Sequence, residues 1–324
     1  MTKLCPVCQR NFTPSRVSQI YCPNRECKTE AERIRRRVAN SSDPRPRSEF
    51  GTFIPQPASH EHIFEEEDAV RALNVKEIST TETKYNGKRL VLLVLGDLHY
   101  GHPTSNHEAF KGYLQWAGDR EGTYVLFNGD LMENVVQGSI GNLFSQKIDP
   151  QQQIDGIVEM LTPIAKTGRV IGYRSGNHER RTYRLTGIDP AKIIASKLEI
   201  PYLSSISFHR FLAGKQEYTA VSCHGASSAR LMRTKMLQVE KMANIYDADV
   251  YIQGHMHDLF AFPRQYIALK DGKLIQRKRY FICSGHFLGY FSSYAEERQM
   301  EIGKSGAPKV KFYGEASWDI HCGV

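Results

Sequence analysis

The segment 90–99 constrains the fold more than any other part of the sequence. Residues 90–95 are all apolar and show no polar alternation, which is typical of a strand buried on both faces. The apolar run ends at Gly96, and Asp97 and His99 follow it two positions apart. In open α/β sheets, ligands lie at the carboxyl ends of the strands. We therefore expect an α/β domain in which this carboxylate and this imidazole point toward a common ligand.

The same pattern of a strand followed by polar residues recurs four more times. One such residue alone is more often an ordinary core or surface side chain, but eight at successive strand ends predict a site for two divalent metal ions. Carboxylate, amide and imidazole donors without thiolates suit manganese, iron or zinc. The eight candidates are Asp97, His99, Asp130, Asn177, His178, His224, His255 and His257.

Composition places the chain among soluble globular proteins. Its 324 residues are 40% hydrophobic and 24% charged, and no apolar run approaches the roughly 20 residues of a membrane span. The first residues do not read as a signal peptide, so a cytoplasmic protein is expected. Four of the seven cysteines lie before residue 28. We expect the other three (Cys223, Cys283 and Cys322) to be free thiols rather than parts of a disulfide framework.

The net charge of +8 is concentrated at the N-terminus. Residues 1–48 hold 11 Lys and Arg against 4 Asp and Glu, whereas the remainder holds 32 against 31. This asymmetry predicts a polyanionic partner, most simply a nucleic acid, for the N-terminal part.

Residues 1–38 are predicted to form a zinc finger followed by a basic helix. The pairs Cys5/Cys8 and Cys22/Cys27 are separated by 13 residues, a spacing that favours one structural zinc over four unrelated thiols. The finger resembles small treble-clef or ribbon-like fingers and could also bind a protein. The helix at 29–38 contains a block of arginines that either contacts phosphates or is simply a solvated helix end.

The rest of the chain divides into a linker and one large domain. Residues 39–68 are rich in Ser, Pro and Arg and are predicted to be the linker, and residues 69–324 form the domain. Apolar periodicity predicts helices at 105–120, 150–166, 189–198 and 227–246. Asn86-Gly87 predicts a hairpin between strands 75–84 and 88–95, and Asp271-Gly272 predicts a second hairpin.

Five motifs together resemble the calcineurin-like metallophosphoesterases, over about residues 90–260. They are Gly96-Asp-Leu-His99, Gly129-Asp130, Gly176-Asn-His-Glu179, Cys223-His224-Gly225 and Gly254-His-Met-His257. The resemblance implies a four-layer α/β/β/α sandwich and metal-dependent phosphoester hydrolysis. A weaker resemblance is to calcineurin-like proteins found in bacteriophage genomes.

The resemblance also implies a role for each residue. Asp97, His99 and His257 would bind the first metal ion, Asn177, His224 and His255 the second, and Asp130 would bridge the two. A hydroxide between the ions would attack phosphorus. His178 resembles the family histidine that is not a ligand, and it would stabilise developing charge or protonate the leaving oxygen.

The sequence alone is compatible with several classes of substrate. Candidate substrate contacts are Asn134, Arg180, Arg181 and His286, while Glu133 could support a ligand or be merely structural. The finger and the arginine block favour a phosphodiesterase or nuclease that acts on nucleic acid. The alternatives are a phosphoprotein or small-molecule phosphatase, and a zinc-finger binding or assembly module with vestigial catalysis. The sequence does not indicate an oligomeric state.

Overall fold

The computed structural model describes most of the chain beyond residue 78. The described residues are 2–5, 7–8, 10–13, 24, 27, 29, 79–137, 139, 146–270, 272–291, 296, 299, 301–315 and 319–324. Cys22, the basic helix at 29–38 apart from Thr29, and the linker at 39–68 lie outside them. Contacts divide the chain into two compact units, Met1–Val70 and Arg71–Val324.

The first unit contains a short antiparallel strand pair. Strand β1 (Lys3–Leu4) pairs with β2 (Asn11–Phe12), with Lys3 opposite Phe12. The Cys5 backbone N–H donates to the Arg10 carbonyl at 2.9 Å, closing the connection between the strands. This connection carries Cys5 and Cys8, the first pair of predicted zinc ligands.

The second unit is a mixed α/β domain with two sheets. Its described strands are β3 (Ser79–Tyr85), β4 (Arg89–Leu95), β5 (Thr123–Phe127), β6 (Val170–Arg174), β7 (Tyr202–Leu203), β8 (Ile206–Ala213), β9 (Gln216–Cys223), β10 (Val250–Gln253), β11 (Leu259–Lys270), β12 (Lys273–Ser284), β13 (Lys309–Tyr313) and β14 (Ile320–Gly323). Its described helices are α1 (His107–Gly118), α2 (Pro150–Ala165), α3 (Glu179–Thr186), α4 (Pro190–Lys197) and α5 (Met232–Glu240), followed by a 3₁₀ turn (Lys241–Asn244).

Both sheets are six-stranded and mixed. The first sheet has the order β14-β13-β4-β5-β6-β7, in which β4 to β7 are parallel and β13 is antiparallel to β4. The second has the order β11-β12-β10-β9-β8-β3, in which β9, β10 and β12 are parallel. The carboxyl ends of β4, β5 and β6 therefore share one edge of the first sheet, and those of β9 and β10 share one edge of the second.

Strand β4 is buried on both faces, as its apolar run predicted. Leu93 and Leu95 belong to a cluster formed with apolar residues of α1, α2 and α4. The alternate residues Leu90, Leu92 and Val94 belong to a second cluster, which also contains apolar residues of the second sheet. Because side chains alternate across a strand, both faces must be apolar when both are covered.

Two further contacts extend this packing. Phe211 of the second sheet stacks on Phe312 of the first, with ring centroids 4.7 Å apart. A third cluster packs Val239 and Met242 against second-sheet residues that include Tyr251 and Phe281. Burying each such side chain stabilises the folded state by roughly 1.5–3 kcal/mol, because its apolar surface is removed from water.

The predicted hairpin at Asn86-Gly87 is wrong, because its two strands enter different sheets. β3 pairs in parallel with β8, whereas β4 pairs with β5 and β13. The hairpin at residue 272 is confirmed, since β11 and β12 pair antiparallel with Lys270 opposite Lys273. The helices predicted at 105–120, 150–166 and 189–198 correspond to α1, α2 and α4.

The helix predicted at 227–246 is shorter, and only part of its predicted apolar face is buried. It begins at Met232, which is 39% exposed, and changes to a 3₁₀ turn at Lys241. Val239 is buried as the apolar periodicity predicted, and Ala243 and Tyr246 pack against the same cluster. However, Lys235 is buried where Met232 is exposed. Lys235 is buried because its Nζ lies 3.0 Å from Asp258 Oδ2, a pairing that sequence periodicity cannot reveal.

Candidate metal centre

The predicted ligands come together at the carboxyl ends of five strands. Asp97 and His99 follow β4, Asp130 follows β5, Asn177 follows β6, His224 follows β9, and His255 and His257 follow β10. Their donor atoms form two sets, one of Asp97, His99 and His257 and one of Asp130, His224 and His255, each within 4.8 Å. A third set, of His99, Asp130 and His178, links the two.

In the first set, hydrogen bonding turns the lone pair of His99 toward His257. His99 Nδ1 lies 3.0 Å from Glu133 Oε2, so Nδ1 carries the proton that the carboxylate accepts. His99 Nε2 is then an unprotonated nitrogen 3.1 Å from His257 Nε2. Asp97 Oδ1 lies 3.4 Å from the same His257 nitrogen. Glu133 thus orients a predicted metal ligand, as carboxylates do behind metal-binding histidines.

The second set has the same arrangement. His224 Nδ1 donates to the Asn128 carbonyl at 2.8 Å, so Nε2 is the nitrogen that faces the other members of the set. That nitrogen lies 3.1 Å from Asp130 Oδ2 and 3.1 Å from Asn177 Oδ1. Burial lowers the pKa of His224, but the Asp130 carboxylate outweighs burial and raises it to about 10. A positive charge, whether a proton or a metal ion, is therefore stabilised at this point.

Buried polar atoms without partners mark the same place. Asp97 Oδ1, Asp130 Oδ2 and His255 Nδ1 have no hydrogen-bond partner of standard geometry among the described residues, although the nearest imidazole nitrogens lie 3.4 Å from Asp97 Oδ1 and 3.1 Å from Asp130 Oδ2. An unpaired buried polar group costs roughly 1–3 kcal/mol, and more when it is charged. Carboxylate, imidazole and amide donors converging within coordination distance fit divalent transition metals, so these residues are suited to hold such ions.

The backbone of the ligand loops is strained. Five of the predicted ligands have left-handed φ angles: Asp97 50°, His99 51°, Asp130 51°, His255 69° and His257 46°. Such conformations are uncommon outside glycine and cluster at functional sites. Only glycine fits at position 129, where φ is 90°, because a Cβ there would lie 2.7 Å from the Gly176 nitrogen.

Glu179 organises the centre, and sequence reasoning assigned it no role. Its fully buried carboxylate accepts the backbone N–H groups of Asp130 (3.1 Å), Leu131 (2.8 Å), Met132 (3.2 Å) and Gly176 (2.8 Å), and the Tyr173 hydroxyl (2.8 Å). Burial raises the pKa of Glu179 to about 7, with Asp130 adding to the shift. The carboxylate ties the loop after β5 to the loop after β6. In the sequence, the position of Glu179 at the end of the Gly176–Glu179 motif was the feature that could have indicated a role.

His178 lies beside the centre with both ring nitrogens engaged. Nδ1 donates to the Glu133 carbonyl at 2.6 Å, so Nε2 is an acceptor, and Arg181 Nη2 lies 2.9 Å from it. The His178 backbone N–H also donates to Asp130 Oδ1 at 2.8 Å. Burial lowers the pKa of His178 to about 3. The imidazole is therefore neutral here, and Nε2 holds no proton to donate.

The other candidate contacts fall into different environments. Arg180 is exposed and Arg181 is half-buried, its Nη1 donating to the Glu133 carbonyl at 3.0 Å.

Asn134 is fully buried, and its side chain binds the His178 carbonyl at 2.6 Å and the Thr182 hydroxyl at 2.9 Å, so it anchors α3. The His286 ring stacks on His257 with centroids 5.6 Å apart and supports it.

The first unit holds a separate candidate metal site. The sulfur atoms of Cys5, Cys8 and Cys27 lie within 4.8 Å of one another, as three ligands of one ion would. The fourth predicted ligand, Cys22, lies outside the described residues. The predicted free thiols Cys223, Cys283 and Cys322 form no disulfide in the described part of the chain.

Comparisons leave the family open. The sequence matches no model of a known protein family and no curated protein. Among the described residues, no helix combines the length and apolar character that crossing a membrane requires.

Proposed function

We propose that the second unit is a two-metal phosphoesterase of the calcineurin-like kind that hydrolyses phosphodiester bonds in nucleic acid. One observation carries the proposal. Two sets of imidazole and carboxylate donor atoms converge, each within 4.8 Å, and Asp130 groups with His224 and His255 of the second set and with His99 of the first.

The packing supports the four-layer sandwich of that family. One apolar cluster joins helices α1, α2 and α4 to the first sheet, a second joins the two sheets, and a third joins α5 to the second sheet. These three interfaces are the ones that an α/β/β/α arrangement needs.

The donor set accounts for the proposed chemistry. Bound divalent ions would supply Lewis-acid polarisation of the phosphoryl group and a water-derived nucleophile at neutral pH. Asp97, His99 and His257 would hold one ion and Asn177, His224 and His255 the other. Asp130 offers anionic oxygens to both. Asn177 contributes a neutral oxygen, which keeps the centre cationic enough to attract a phosphate.

His178 and Arg181 complete the site. Arg181 brings a permanent positive charge to the edge of the centre, where its guanidinium suits a phosphate oxygen. When a phosphate draws Arg181 away from His178 Nε2, that nitrogen would be free to accept the proton released by the attacking water and to deliver it to the leaving oxygen. Glu133 holds both residues through its carbonyl.

A nucleic-acid substrate is supported by charge. Residues 1–48 carry an excess of 7 positive charges, and the Cys5, Cys8 and Cys27 cluster is suited to a structural zinc that would fold this segment. Such a basic unit would hold a polyanion near the catalytic unit by a salt-sensitive attraction.

Metal content and turnover test the proposal together. Protein stripped of metal and reloaded with manganese is expected to bind two ions at the aspartate–histidine centre. It should then hydrolyse bis-p-nitrophenyl phosphate, single-stranded DNA and RNA faster than p-nitrophenyl phosphate or a phosphopeptide. A preparation that never exceeds one ion at this centre contradicts the two-metal mechanism. Preference for the phosphopeptide would favour the phosphatase alternative.

A further inference from the structure

Two exposed segments leave the metal centre from ligands that touch each other. Helix α3 begins two residues after Asn177, and the segment 225–233 directly follows His224. Asn177 Oδ1 and His224 Nε2 are 3.1 Å apart, so both segments start from the same side of the centre. We name α3 and the segment 225–233 together the arginine rim.

The exposed charges of the arginine rim are all positive. Arg180, Arg184, Arg230 and Arg233 are exposed, and their side chains make no hydrogen bond or ion pair with other described residues. The one carboxylate within the rim, that of Glu179, is fully buried under the ligand loops. Residues 49–324 as a whole are nearly balanced in charge, so the rim is a local concentration of cations beside the centre.

The two exposed arginines of helix α3 differ in their effect on its stability. Arg184 lies in the last turn, where the helix dipole favours a cation, but Arg180 does not. Arg180 lies in the first turn, where the helix dipole disfavours a cation, and Arg184 follows at i+4, where like charges repel. Both costs are removed when a polyanion lies along the helix. The charge pattern therefore suits a ligand that presents negative charge at more than one point along the helix.

The rim also exposes side chains that suit nucleobases. Tyr183 is 48% exposed and shares the face of Arg180 at i+3, and Leu231, 62% exposed, lies between Arg230 and Arg233. Cationic side chains interleaved with an exposed aromatic ring are typical of surfaces that hold the backbone of a single strand and stack its bases. In a duplex the base faces are already stacked and are not available to Tyr183.

From these observations we infer that the arginine rim binds single-stranded nucleic acid and leads one of its phosphodiesters into the metal centre. The inference rests on the proposed function for the hydrolytic step, whereas strand binding stands on the rim alone. The substrate class thereby becomes a single strand, DNA or RNA, rather than a duplex or a phosphoprotein.

Binding by the full-length chain tests the inference first. The probe is a fluorescein-labelled phosphorothioate thymidylate 20-mer, which resists hydrolysis, titrated by anisotropy at several salt concentrations. Arg184→Ala/Arg230→Ala should lower the salt slope by about 1.4, at about 0.7 per phosphate contact. The matched control Lys88→Ala/Arg89→Ala removes the same charge at the opposite end of β4 and should leave the slope unchanged. Equal slopes for the two double variants would overturn the inference.

Tyr183 provides a second, charge-independent measurement. Tyr183→Ala should weaken binding of the 20-mer by about tenfold, since a stacked base loses its platform, and Tyr183→Phe should restore it. Wild-type affinity in Tyr183→Ala would show that no base stacks there and would overturn the inference. Tighter binding of a phosphopeptide or a duplex 20-mer than of the single strand would overturn it too.

Turnover separates this inference from the proposed function. With manganese, Arg184→Ala/Arg230→Ala should lose at least about tenfold more kcat/KM on a thymidylate 20-mer than on bis-p-nitrophenyl phosphate. If wild-type protein hydrolyses neither substrate but binds the 20-mer through the rim, the proposed function fails and the binding surface stands. If both are hydrolysed and the variant loses equally on each, the rim is not the strand path.

Discussion

Asp130 is the residue that we propose bridges the two metal ions. Its Oδ2 atom lies 3.1 Å from His224 Nε2, and the residue also groups with His99 and His178. Asp130→Asn keeps the size of the side chain but removes the charge that two cations would share. We expect fewer than two manganese ions per chain at this centre, measured by plasma mass spectrometry, and loss of diester hydrolysis. Full metal content in this variant would exclude Asp130 as a bridge.

His178 should matter for rate and not for metal content. Its ring nitrogens contact the Glu133 carbonyl and Arg181 rather than the converging lone pairs. His178→Ala should therefore retain both ions and lose roughly 10²–10⁴-fold in turnover of bis-p-nitrophenyl phosphate, the usual contribution of a positioned acid–base group. A variant that loses metal but keeps its rate per bound ion would reverse this assignment.

His209, which lies within strand β8 and not in a ligand loop, makes stability depend on pH. It lies in a buried chain in which Arg174 donates to Ser222 Oγ, Ser222 to His209 Nε2 and His209 Nδ1 to Thr81. Burial and the Arg174 charge lower the pKa of His209 to about 3. Below pH 6.5 the unfolded chain binds a proton that the folded chain does not, so the free energy of unfolding falls as the pH drops from 6.5 toward 3.

Replacing His209 should remove this part of the pH dependence. His209→Gln retains polar groups but does not titrate. As the pH drops below 6.5, the free energy of unfolding of this variant should fall less steeply than that of the wild type, with a difference in slope of up to about 1.4 kcal/mol per pH unit. Urea denaturation of both proteins between pH 7.5 and 5, without metal, measures the difference. Parallel curves would mean that His209 is already protonated in the folded protein.

At the level of elements, α3 acts as a clamp on two ligand loops. Its first residue, Glu179, accepts four backbone N–H groups and one hydroxyl. Glu179→Gln places an amide N–H₂ against backbone donors, and each unpaired N–H costs roughly 1–3 kcal/mol. We expect a melting temperature several degrees lower and weaker metal binding by calorimetry. An unchanged melting temperature would contradict the clamp.

Elements set by a local sequence pattern could be predicted, whereas contacts between residues distant in the chain could not. Strand β4 and the ligand-bearing strand ends were predictable because burial on both faces leaves an unbroken apolar run followed by glycine and polar residues. The pairing of β3 was not, since Asn86-Gly87 favours a hairpin with β4, whereas β3 pairs with β8, more than 100 residues later in the chain. The roles of Glu179 and Lys235 could not be predicted either. Glu179 binds backbone N–H groups and Lys235 binds the carboxylate of Asp258, and only folding brings these partners close.

For the whole molecule, the two units should respond differently to loss of metal. Cys5, Cys8 and Cys27 offer thiolates, whereas the centre of the second unit offers oxygen and imidazole. Cys8→Ser should lower zinc content by one ion per chain and leave manganese at the aspartate–histidine centre unchanged. Hydrolysis of bis-p-nitrophenyl phosphate should persist, since no predicted ligand of that centre lies before residue 97. Loss of both metals in this variant would show that the units are interdependent.

The left-handed backbone of the ligand loops has a consequence for directed evolution. Asp97, His99, Asp130, His255 and His257 each hold a conformation that glycine adopts without strain. Strain of this kind costs of order 1–3 kcal/mol per residue. A library screened only for heat resistance should therefore enrich glycine at these five positions, and each enriched clone would have given up a ligand. Thermostable descendants of this protein should be sought only with a screen that also scores turnover.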